Sequence, residues 1–87
     1  MPLSALLRRC RELSEASQEA PWSSMSISEI VNVLDRGIKS LESKGELNRE
    51  ELKLMFAPTG DLQETAMANG WSIEYLLLSA QFDSLIA

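Results

Sequence analysis

Acid–base or nucleophilic chemistry needs a reactive group beside a base or a metal, and this sequence offers few candidates. Histidine is absent and Cys10 is the only cysteine, so neither an internal disulfide nor a Cys/His zinc site can be built. General acid–base catalysis draws most often on histidine. Without it the base would be a carboxylate, a lysine or Tyr75. Cys10 lies among Leu6, Leu7 and Leu13 at helical spacing, an apolar setting that raises a thiol's pKa and leaves it inert. Acidic residues fall in suggestive places: Asp61 with Glu64, Glu50 beside Glu51, and Glu29 three residues after Ser26. All stand where a helix begins, and backbone N–H groups and the helix dipole favour carboxylates there for stability alone. No further ligand type accompanies them at metal spacing. The reading is therefore a non-enzyme with no catalytic, cofactor-binding or metal residue.

Two other patterns invite a functional reading. Pro58-Thr59-Gly60 precedes a helix start, and glycine there suits anions. Asp61 follows at once, however, and the lysine of a phosphate loop is missing. Ala66, Gly70 and Leu76 have the spacing of a helix-turn-helix. The would-be recognition helix reads Ser72-Ile73-Glu74-Tyr75-Leu76-Leu77-Leu78, with no Arg or Lys to meet phosphate or guanine. From Leu54 to Ala87 there is no basic residue, against Asp61, Glu64, Glu74 and Asp83. That stretch holds most of the net charge of −5. Nucleic acid rewards clustered cations, so it is not an expected partner.

The elements that must position these residues are all helical. Leu3, Leu6, Leu7, Cys10 and Leu13 recur at spacings of three and four, which predicts an amphipathic helix over 3–17. Pro21 and the serines Ser23, Ser24 and Ser26 mark a connector. Ser26 and Glu29 form a capping-box spacing. After them Ile27, Ile30, Val31, Leu34, Ile38 and Leu41 carry an apolar stripe to a stop at Lys44 and Gly45. Gly37 inside this helix implies either a closely packed neighbour or a tolerated defect. A third helix starts at Asn48 with Glu51 three residues on, Leu47 and Leu52 at staple positions, and an end before Pro58. A fourth covers about 61–69, with Asp61 and Glu64 read as its capping box, and stops at Asn69-Gly70. Ser72 is read as the cap of the last helix, with Trp71 and Leu76 as its staple. That helix is apolar around much of its circumference, the mark of a central helix or an interface.

No two-residue alternation of β-branched residues occurs, so the fold class is all-α: a compact bundle of four or five short helices with angled packing. With 87 residues, 45% hydrophobic and 24% charged, one small core is expected. Residues 1–25 read as an N-terminal helical arm and connector, and 26–87 as the helical core domain. No apolar run approaches the ~20 residues that span a bilayer. The lone thiol and the absence of a signal-like start point to a cytoplasmic protein.

These observations leave recognition of another protein. The chain reads as a small acidic protein-binding module of the immunity-protein, antitoxin or adaptor type, covering a basic partner that complementary charge would select. Its candidate contacts are Trp71 and Tyr75, ringed by Asp61, Glu64, Glu74 and Asp83. Trp and Tyr anchor interfaces well, but these two are equally suited to the core. Phe56 and Phe82 read as core, and Trp22 as an anchor for the arm or a surface contact. The alternative is self-association, a homodimer built on the last helix. A small-ligand carrier or enzyme would need a pocket that a domain this size rarely spares.

Overall fold

The apolar periodicities close into five helices in a computed structural model that describes residues 2–21, 23–44, 48–57 and 60–86. They are α1 (Leu3–Glu15), α2 (Ile27–Lys44), α3 (Arg49–Met55), α4 (Asp61–Asn69) and α5 (Ser72–Ile86). No strand occurs among the described residues. Trp22, Gly45, Leu47, Pro58 and Thr59, which bear on the connector, the stop of α2, the staple of α3 and the turn before α4, lie outside them.

Local capping chemistry sets several of the boundaries. Ser26 Oγ accepts from the N–H of Glu29 at 3.1 Å, and Glu29 accepts in return from the N–H of Ser26 at 3.2 Å. This is the reciprocal box that satisfies two orphan donors at the start of α2. Asn48 accepts from the N–H of Glu51 at 3.2 Å, while the Glu51 carboxylate reaches across to Arg36 of α2 at 3.1 Å. Gly70 ends α4 in the left-handed region, with φ 80°, where a side chain is strained and glycine is not.

Two caps differ from the sequence reading. Asp61 is the first residue of α4, and Gly60 is its N-cap with no side-chain cap bond. At α5 the carbonyl of Trp71 accepts the first helical bond, from the N–H of Tyr75 at 2.9 Å, so Trp71 is the cap and Ser72 already helical. The expected staple is not made either: Trp71 is buried and Leu76 exposed.

The core runs through all five helices. Leu6, Leu7 and Cys10 of α1 are fully buried beside Ile30 and Leu34 of α2, Leu52 of α3, Leu62 and Ala66 of α4, and Phe82 of α5. Helix α1 packs chiefly on α2, and also on α5 and α4. A division at Met25 therefore does not fall between two cores. The radius of gyration, 11.8 Å, matches the ~12 Å of a single packed domain of this length. Gly37 is buried and borders a hollow that it shares with Asn48, Glu51 and Leu52.

The connector after α1 is fastened by polar contacts that periodicity cannot reveal. Asn69 accepts from the N–H of Gln18 at 2.8 Å and donates to the Gln18 carbonyl at 2.9 Å. Ser17 Oγ donates to the Leu13 carbonyl at 2.7 Å and accepts from the indole N–H of Trp71 at 2.9 Å. Both carboxylate oxygens of Glu19 stand 3.0 Å from the N–H of Ile27. The segment thus ties the end of α1 to the α4–α5 corner and to the start of α2.

Candidate docking surface

Helix α5 carries two apolar rows on opposite sides. The inward row is Tyr75, Leu78, Phe82 and Ile86, all buried. Phe56, at the end of α3, stacks on Phe82 with centroids 4.1 Å apart and on Tyr75 at 6.2 Å. Trp71 meets Tyr75 edge-on at 6.3 Å. The Tyr75 hydroxyl donates to the Phe56 carbonyl at 3.2 Å, and burial holds its pKa above the ordinary value. Trp71 and Tyr75 are 9% and 2% exposed. Both aromatics are packing residues with satisfied polar tips, not free surface anchors.

The four carboxylates have separate surroundings. Asp61 accepts from the hydroxyls of Ser23 and Ser24 at 2.9 Å each and from the N–H of Ser24 at 2.8 Å. Burial alone would raise its pKa, but these donors together hold it below the usual carboxylate value. Glu74 takes a two-pronged bond from Arg9 of α1, 2.5 Å from Nε and 2.9 Å from a terminal nitrogen. The guanidinium draws the Glu74 carboxyl down against a small opposing effect of burial. Glu64 borders a shallow hollow with Ala20, Pro21 and Met67. Asp83 stands on a groove along α5 that Tyr75 also borders. Two of the four are thus engaged within the chain, and the others face different surroundings.

The outward row of α5 is Ile73, Leu77, Ala80 and Ser84, with Leu76 beside it, and every one of these residues is exposed. Ile73, Leu76 and Leu77 are 78%, 62% and 64% exposed. Leu85 lies toward the flank that Glu74 occupies and is also exposed. Isolated apolar residues on a surface are ordinary. A contiguous exposed apolar face is less ordinary and is often functional.

Between α3 and α5 runs an open groove of about 610 Å³. Phe56 and Tyr75 border it along with Lys53, Ser79, Asp83 and Leu76. No histidine exists to activate Ser79, and the Tyr75 hydroxyl is engaged with a backbone carbonyl. Cys10 is buried, its pKa pushed up to about 12 by burial. No cluster of three or more His, Cys, Asp or Glu suited to a metal occurs among the described residues, and none of their helices is long and apolar enough to cross a membrane.

No family model, curated protein or solved structure matches the chain. The class that fold and surface define is a small all-α bundle whose last helix is packed on one side and uncovered on the other.

The residues that sequence reasoning passed over as contacts are Ile73, Leu76, Leu77 and Ala80. Their signal is present in the sequence: Ile73, Leu77, Ala80 and Ser84 follow spacings of four, three and four. The inward row obeys the same period, so spacing alone does not say which row meets the core.

Proposed function

We propose that this chain is a non-enzymatic protein-binding module that docks through the outer face of α5. The observation that carries the reading is the exposure of Ile73, Leu76 and Leu77 side by side on one helix. Covering such a face removes apolar surface from water at roughly 25 cal/mol per Å², and apolar patches of roughly 300–600 Å² are often functional. The acidic side chains have a secondary part, because Asp61 and Glu74 are committed to contacts inside the chain. Helices α1 to α4 serve as the platform that keeps α5 rigid.

The test is site-specific photo-crosslinking of the full chain in its own cells. A photoreactive residue at position 77 is expected to give covalent adducts, and one at the exposed position Asn32 of α2 is not. No adduct from position 77, or equal adducts from both, overturns the reading.

A further inference from the structure

We infer that the occupant of this face is a second copy of the chain, with the two α5 helices packed antiparallel about a two-fold axis between Leu77 and Ala80. The inference rests on the docking reading above and adds the partner's identity.

Shape argues for it first. Ile73, Leu77, Ala80 and Ser84 follow the four-three-four spacing of a coiled-coil seam along a helix about 22 Å long, the kind of stripe that packs on another helix at a shallow angle. The seam is graded in size: Ile73 and Leu77 are large, Ala80 and Ser84 small. Set parallel to an identical seam, it would place large on large and small on small. Reversed, it sets Leu77 against the partner's Ala80 and Ile73 against the partner's Ser84, which fills space at the density that packed interiors require. In that orientation the face is complementary to itself, large against small along its whole length.

Charge argues the same way. The seam holds no ionisable group, and a basic partner would find Glu74 on its flank already occupied by Arg9. The carboxylate on the other flank, Asp83, shares the walls of its groove with Lys53. In the antiparallel register the two copies of Asp83 stand about 13 Å apart along the helix axis, more than a Debye length at physiological salt. What remains is the weak long-range repulsion between two chains of net charge −5. One helix face per copy lies at the low end of interface areas, about 1,200 Å², so the dimer is weak and concentration-dependent.

Sedimentation equilibrium of the full chain tests this, with circular dichroism to verify that each variant is folded. The expected result is a monomer–dimer equilibrium that tightens as salt rises, because screening removes like-charge repulsion. Leu77→Ala opens a gap in the seam and Ala80→Leu overfills it, so each loosens the dimer by about tenfold or more. The double variant Leu77→Ala with Ala80→Leu restores large against small and recovers the affinity. A monomer at every concentration, a dimer that loosens with salt, or a double variant no better than the singles overturns the inference. If position 77 still crosslinks to a foreign protein in a chain that stays monomeric, the docking reading stands and only the identity of the occupant falls. If nothing crosslinks there, both fall.

Discussion

Ser14 is fully buried on the inner face of α1, and its hydroxyl has no hydrogen-bond partner among the described residues. A hydroxyl desolvated without a partner costs about 1–3 kcal/mol. Ser14→Ala removes that cost while keeping the volume small, so it is expected to raise the urea midpoint by an amount equivalent to about 1 kcal/mol. A lower midpoint would mean that the hydroxyl has a partner in solution. The other residues of interest show how far side-chain identity alone reaches. The burial of Cys10 was legible, because Leu6, Leu7 and Leu13 at helical spacing define its surroundings. Trp71 and Tyr75 were not, because their surroundings come from afar. The indole is fixed by Ser17, on the far side of three helices in sequence, and the phenol by the carbonyl of Phe56. An aromatic side chain suits an interface and a core equally until such partners are known.

At the scale of elements, the caps separate into those set locally and those set by the fold. Ser26 and Glu29 satisfy each other within one turn, so their spacing was enough to place the start of α2. Asp61 has the same spacing to Glu64, yet its carboxylate serves Ser23 and Ser24 of a distant connector. Gly60 takes over the cap, and its own constraint is steric. A Cβ there would stand 2.8 Å from the Leu54 carbonyl oxygen and 2.9 Å from that of Ala57. Gly70 has open space around it, and only its positive φ opposes a side chain. Gly60→Ala is therefore expected to destabilise by about 2–3 kcal/mol, since backbone must move, and Gly70→Ala by about 1–2 kcal/mol, the cost of a side chain in the left-handed region. Thermal unfolding of the two variants checks the order; equal losses would refute the steric account. Helix α5 is the opposite case to the caps. Its existence and its apolar character on more than one side were plain, but the choice of inward row depends on which row meets Phe56.

For the whole molecule, the all-α class followed from periodicity and a single small core from length, whereas the share of α1 in that core did not. A proline- and serine-rich connector looks like a hinge to an arm until its hydrogen bonds are seen. A chain beginning at Met25 would lose Leu6, Leu7 and Cys10 from the centre of the core and leave apolar surface on α2 and α5 uncovered. Losing even one buried leucine side chain costs about 2–5 kcal/mol, against a total stability of roughly 5–15 kcal/mol. The truncated chain is expected to be unfolded by circular dichroism, and a cooperative unfolding transition from it would restore the arm as a separate unit.

The fastening of the α1 connector by Asp61, Asn69 and Trp71 also orders events during synthesis. Several hydrogen-bond partners of the segment that follows α1, namely Asp61, Asn69 and Trp71, lie 38 to 54 residues further along the chain. On a ribosome, which delivers N-terminal residues first, this strap can latch only once α4 and Trp71 have been made. The end of α1 and the α4–α5 corner are consequently expected to take up their native arrangement together.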